Sequence, residues 1–483
     1  MDSKNMVNPR ISIISLFVIL LSACTLVDLG NPTQDLGNEQ PPPLQTSPSD
    51  QLSDSPTIPF AISQGEKSSQ EGWESHCPII EPAWVTEFTV YQTPSFSEPD
   101  AREPFLDPIF GTCIIRASDR NMDVSSDDPS PGLKNEYSRV QSFNSDGTLF
   151  LLYGTEGTWY LYDSATLRPL QQISIGVEPR WDSSAPNILY FIDETRLMTY
   201  DVSSEEQWIL HDFMEDFPGQ QLSAVWTRYE GSPSLDSHYW GLMAEDEDWL
   251  TFAYLIYDLK EDRIVALREI QKPLEVDSVT ISPLGNYFLA FLDEYCEWNQ
   301  LGDDTSPCGL MVYNQDLENG RGLLRIVGHS DLALDSQGNE VLVYQDIDTD
   351  HISMLDLASG RITPLWPIDF TYSPIGLHFS GRGHNLPGWI LVSTHSGAQP
   401  SATWMDDQVF ALELKPKGRV VRFAHTHSLV DQNLDHDYWA EPHATVNSDF
   451  TRILFTSNWG QAGTGEVDTY MIELPLDWES NLP

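Results

Sequence analysis

Basic residues are scarce: 25 Lys and Arg stand against 73 Asp and Glu in 483 residues, a formal net charge of −48. Such a surface repels nucleic acid and anionic lipid headgroups, so no nucleic-acid partner is expected. Long apolar runs are also missing. The one near the start, Ile11 to Leu21, has 11 residues and is too short to span a bilayer as a helix. Cysteine is sparse at five, with no CxxC or Cys/His spacing that would point to zinc. A Walker-type phosphate loop, a nucleophile elbow and an HExxH helix are all absent, and no organic cofactor is expected. What the chain does have is apolar mass. It is 40% hydrophobic, with 15 Trp, 18 Tyr and 20 Phe, enough for a large core.

The amino terminus predicts export. Lys4 and Arg10 flank the short apolar run, which ends in Leu21-Ser22-Ala23-Cys24. This resembles the bacterial lipobox, and the resemblance implies a signal peptide over 1–23 and lipidation of Cys24. From 24 to 75 the chain is rich in Pro, Ser, Gln and Asp, a composition that cannot bury a core. A disordered, lipid-anchored linker is expected there, with a root-mean-square reach of roughly 40 Å. The expected location is extracytoplasmic, on a bacterial cell membrane or outer membrane. Four further cysteines, Cys77, Cys113, Cys296 and Cys308, suggest two disulfides, most simply paired in sequence order.

From about residue 137 the sequence repeats. Seven apolar anchors, Phe143, Trp181, Leu235, Ile281, Leu334, Phe379 and Val446, are each followed by two turn formers, as in Phe143-Asn144-Ser145 and Val446-Asn447-Ser448. Anchor spacings of 38 to 67 residues suit four-stranded units. Each unit carries a second apolar strand ending near a polar residue: YLYD (160–163), LMTYD (197–201), YLIYD (254–258), MVYN (311–314), SMLD (353–356), FALEL (410–414) and YMIEL (470–474). The last unit lacks a fourth strand, while GTCIIRAS (111–118) upstream lacks a partner. The predicted fold is therefore all-β: a single seven-bladed β-propeller over 76–483, closed by that N-terminal strand.

The phrases FNSDGTLFLLYG (143–154) and VNSDFTRILFTSNWG (446–460) resemble TolB-like and other WD-type propeller repeats, and more distantly those of oligogalacturonate lyase. That lyase family is expected to hold a divalent metal with histidines, two of them in a His-x-His run before its last blade. Here the matching run is Glu441-Pro442-His443, and His378 is the earlier residue matched by spacing. The resemblance thus implies a metal set of His378, Glu441 and His443. Glutamate in place of histidine moves the expected ion toward Ca2+ or Mn2+. It also implies a catalytic group in which Arg139 or Arg180 neutralises a uronate carboxylate while His329 or Tyr137 transfers a proton.

Read from the residues alone, the strands running into the anchors are rich in ionisable groups, including Glu178, Arg180, His329, Asp331, His378, Glu441 and His443. Buried charges must pair, meet water or hold a ligand, so bonds between blades and a ligand site both remain open. His384, His395, His425, His427 and His436 are expected in solvated loops. Trp404, Trp439 and Trp459 are expected in the core. The functional expectation is a monomeric envelope lipoprotein that binds a carbohydrate or protein ligand at the channel mouth, with a divalent cation. A metal-assisted polysaccharide lyase cleaving uronic-acid polymers by β-elimination is the alternative.

Overall fold

The computed structural model describes residues 69–70, 73–77, 84–396, 400–431 and 435–483, with backbone alone at 69–70, 73–74 and 435–436. The signal peptide, Cys24 and nearly all of the 24–75 linker lie outside the described residues. No helix among the described residues is long and apolar enough to cross a membrane.

Apart from a short ladder of Ser69–Gln70 with Trp73–Glu74, the described residues form seven antiparallel sheets that follow one another in chain order. Six have four strands, and the seventh has five. This is a seven-bladed β-propeller. The innermost strands are Leu133–Lys134, Val177–Trp181, Ala224–Trp226, Val276–Ile281, Ser330–Leu334, Gly376–Ser380 and Thr445–Val446. All seven apolar repeats ending near a polar residue fall on third strands, from Thr158–Asp163 in blade one to Asp468–Glu473 in blade seven.

The turn formers after the anchors work through their side chains. Asp182 Oδ1 accepts from the amides of Ser184 and Ala185, and Asn447 Oδ1 from those of Thr451 and Arg452. A side chain that satisfies the turn's own amides fixes the reversal into the second strand. Blade three departs from the pattern. Its inner strand stops at Trp226, and Arg228 and Tyr229 take positive φ of 60° and 72°, so the anchor Leu235 lies outside the ladder.

The ring closes as expected. Cys113–Arg116 pairs antiparallel with the third strand of blade seven, Tyr470 opposite Arg116 and Glu473 opposite Cys113. An outer strand, Pro104–Leu106, follows as a fifth, which the sequence did not suggest. Ile114 and Ile115 are buried, and Arg116 and Arg120 both reach Asp468, which also accepts from Ser118 Oγ at 2.7 Å. Both disulfides pair in sequence order, Cys77–Cys113 and Cys296–Cys308. Between blades the core is aromatic. Trp240, Tyr254, Phe288 and Tyr313 share one cluster, and Trp389, Phe423, Phe455 and Trp478 another. Each such side chain contributes about 2 kcal/mol by leaving water.

Candidate metal centre

Blades five to seven bring four histidines together: His329 and His443 just ahead of the inner strands Ser330–Leu334 and Thr445–Val446, and His378 and His395 on blade six. His378 is on the inner strand of blade six. His395 ends the neighbouring strand, Trp389–His395, where it pairs with Gly376. Gly376 is needed for this: a Cβ there would lie 2.5 Å from His395 Cε1 and 2.6 Å from its Nε2, so only glycine leaves the imidazole room. His395 is thus a buried strand residue and not the solvated loop residue expected from sequence. His425 is a similar correction, buried on Val420–His425 with Nδ1 3.0 Å from Asp107 Oδ2. His427 is also buried, and His384 is half-buried. The side chain of His436 lies outside the described residues. Trp404, Trp439 and Trp459 are all half-buried rather than fully enclosed.

Glu441 sits between the rings. Its Oε2 is 3.3 Å from His378 Nε2 and 3.3 Å from His443 Nε2, and its Oε1 is 3.6 Å from His395 Nε2. His378, His395 and Glu441 each offer a ligand atom within 4.8 Å of the other two. Both nitrogens of His378, Nδ1 of His395 and Nε2 of His443 are buried without a hydrogen-bond partner. Buried polar atoms are ordinarily satisfied, so a cluster of orphans at one point fits a ligand.

The electrostatics agree. Burial drives His395 down to about 3, and burial with Arg139 nearby takes His329 to about 4. His378 and His443 fall well below the usual histidine value, first through burial and then through nearby basic groups, His443, His329 and His395 for the one and Lys134, His395 and His329 for the other. All four rings are therefore neutral near pH 7, the state that ligates metals. Glu441 is pushed up to about 8 by burial, with Lys134 opposing. A carboxylate so short of positive charge suits a cation beside it. Two imidazoles and one carboxylate favour manganese over calcium, whose ligands are oxygens.

Of the residues expected to do chemistry, Tyr137 and His329 join the cluster. Tyr137 Oη is 3.2 Å from His329 Nδ1, and its ring lies 4.8 Å from that of His443. The His329 and His378 rings are 4.5 Å apart. The arginines are placed otherwise. Arg180 donates to Glu136 at 2.9 Å and to the carbonyls of Pro179, Tyr229 and Gly231, joining blade two to its neighbours. Glu178, beside it, accepts from the amides of Thr227 and Tyr229. Arg139 pairs with Glu230 at 2.8 Å. Asp331 accepts from Arg382 and from the amide of Gly381, a bond between blades five and six.

Two residues that the sequence reading passed over complete the wall. Lys134 is buried, its Nζ 3.3 Å from His443 Nδ1 and 2.9 Å from the Glu136 carbonyl, and it lies over the Trp439 ring. Burial lowers it to about 8, with Glu136 and Glu441 opposing. Asn135 donates to the His443 carbonyl at 2.6 Å. Lysine is almost never fully buried unless paired, and here the partners are the Glu136 carbonyl and His443; no feature of the repeat marked the position in the sequence.

No family model matches this sequence, and no curated protein does. Solved structures do match. An oligogalacturonate lyase in complex with manganese superposes with a TM-score of 0.54 at 14% identity, covering 83% of this chain and 100% of that one. An oligogalacturonate lyase from Vibrio parahaemolyticus gives 0.53 at 12% identity, covering 78% and 97%. At such identities the likeness establishes the fold: this chain is a seven-bladed β-propeller of the architecture that oligogalacturonate lyases share.

Proposed function

We propose that the propeller holds a divalent cation, manganese in preference to calcium, between His378, His395 and Glu441, and that the cation helps bind a carbohydrate or protein ligand at the channel mouth. The observation that carries this reading is the convergence of two buried imidazoles, whose ring nitrogens include orphans, on one half-buried carboxylate. His378 and His395 would supply nitrogens, Glu441 an oxygen, and the bound ion a positive charge for a polar ligand to meet. The manganese in the similar oligogalacturonate lyase supports a metal in this architecture, without assigning one here. The test is metal content of the purified chain, with thermal melting before and after chelation. An ion-free chain whose melt ignores both manganese and chelator would refute the cation.

The lyase reading has one observation of its own: Tyr137 and His329 stand in contact beside the candidate ligands, as a proton-transfer pair would. Against it, Arg139 and Arg180 are already ion-paired to Glu230 and Glu136, so a uronate carboxylate would have to compete with a protein carboxylate at either guanidinium. Binding is therefore the reading we favour. Unsaturated, ultraviolet-absorbing ends released from polygalacturonate with manganese would reverse that choice. We further propose that the body is displayed from a bacterial envelope membrane by lipid on Cys24, as a monomer. Cys24→Ser should then leave the detergent phase, and unchanged partitioning would refute the anchor.

A further inference from the structure

We propose that Lys134, reaching in from blade one, fixes His443 as a hydrogen-bond donor to Glu441 and not as a further ligand to the cation. The inference rests on the cation reading of the cluster above. It departs from the ligand set implied by sequence resemblance, in which His443 binds the metal directly.

The argument is one of donors and acceptors. Lys134 Nζ lies 3.3 Å from His443 Nδ1 and 2.9 Å from the Glu136 carbonyl oxygen. An ammonium group has three donors and no acceptor, so whatever faces it must present a lone pair. His443 Nδ1 does so only when the neutral ring carries its proton on Nε2. That nitrogen lies 3.3 Å from Glu441 Oε2, close enough to align with a small ring rotation. A nitrogen bearing a proton has no lone pair to give a metal. It can hold a carboxylate in the orientation a metal needs, as residues behind metal ligands commonly do.

The placement of His443 is over-determined from the same side. Asn135, next in sequence to Lys134, donates to the His443 carbonyl at 2.6 Å, and its own Oδ1 lies 3.1 Å from Thr456 Oγ1. His443 has a φ of +42°, a left-handed conformation costly for a residue with a Cβ. Two consecutive residues of blade one thus grip the ring and the backbone of one strained residue of blade seven. Ligand atoms of His378 and His395 fall within 4.8 Å of each other and of the Glu441 carboxylate, and with it they form a trio without His443.

The tautomer can be read directly. In the full chain labelled with 15N-histidine, long-range proton–nitrogen correlation spectra should show His443, assigned by its loss in His443→Gln, protonated on Nε2 with Nδ1 as acceptor. Lys134→Met should abolish that preference, and Lys134→Arg, which keeps a donor, should restore it. An Nδ1-protonated His443 in the wild type would overturn the proposal. With manganese added, electron spin-echo spectra should count two coordinated histidine nitrogens in wild type and in His443→Gln alike. Three in wild type falling to two in the variant would overturn it equally. Lys134→Met should lower manganese affinity roughly 10- to 100-fold without changing that count. A chain that binds no manganese would sink the cation reading, while the metal-free tautomer would still decide the role of Lys134.

Discussion

Removing residues 1–118 should unfold the propeller, whereas removing 1–74 should leave its stability nearly unchanged. The longer deletion takes away Cys113–Arg116, the strand that completes blade seven, together with Phe110, Ile114 and Ile115, all buried to within 1% exposure. At about 2 kcal/mol each, those three side chains alone contribute about 6 kcal/mol. Asp468 would lose Arg116 and Ser118 while staying in the interior, and the strand Asp468–Glu473 would become a bare edge. Domains are stable by only about 5–15 kcal/mol in all, so a loss of this size takes most or all of the margin. A graded version replaces Cys77 and Cys113 with serine. Loop entropy across a separation of 36 residues predicts a cost of about 4 kcal/mol, with every side-chain contact of the closing strand kept. Urea unfolding followed by tryptophan fluorescence reads all three chains. Equal midpoints for the two truncations would refute closure by the N-terminal strand as a source of stability.

Manganese at 100 times its dissociation constant should stabilise the fold by about 2.7 kcal/mol. Over roughly 400 residues that raises the melting temperature by about 3 °C. Gly376→Ala, which crowds His395 without removing any candidate ligand, should erase the shift in differential scanning calorimetry; an undiminished shift would exclude His395 as a ligand. Arg180→Ala should cost about 3–5 kcal/mol, because Glu136 would be left half-buried beside Glu178 without its cation, and a melt like wild type would count against its role between blades. Asp407 is raised to about 6 by burial, so the folded state keeps a proton that the unfolded chain releases near pH 4. Its contribution is full below pH 4 and lost as pH rises through 6. Asp407→Asn should therefore gain about 3 kcal/mol on wild type between pH 4 and pH 7, and a constant difference in urea midpoints would refute the shift.

The fold was legible because a propeller writes itself as a repeat. Trp181, Ile281, Leu334 and Val446 each end an inner strand, and each is followed by side chains that make the turn, so one local rule recurs through the ring. The rule fails at Leu235, where two consecutive positive-φ residues take over the path that a strand would follow. The site was less legible. His378, Glu441, His443, His329 and Tyr137 were found because they lie a few residues before anchors, although only His378 is on a strand. His395 was not, because it sits at the far end of a second strand and reaches the cluster only across Gly376, and such a vacancy leaves no periodic trace. Lys134 and Asn135 lie nine and eight residues before their anchor, upstream of any position that alternation from it could assign. Arg139 and Arg180 stood out as ionisable residues before their anchors, but their partners, Glu230 and Glu136, come from other blades and no local pattern announces them.

The closing strand has a consequence for how the protein is made. Arg116 is among the first quarter of the chain to emerge from a ribosome or a translocon, yet its partner Tyr470 comes 354 residues later. Until that partner arrives, the segment around Cys113 has no sheet to join, and contacts of such sequence separation form slowly. The Cys77–Cys113 bridge spans only the early segment, so an oxidising compartment could set it before blade seven exists. The molecule would then wait with one half of its clasp already folded. Any chain halted before residue 468 would carry an unmatched apolar strand at each side of the gap, the surface on which chaperones act and on which copies of the chain would pair with one another.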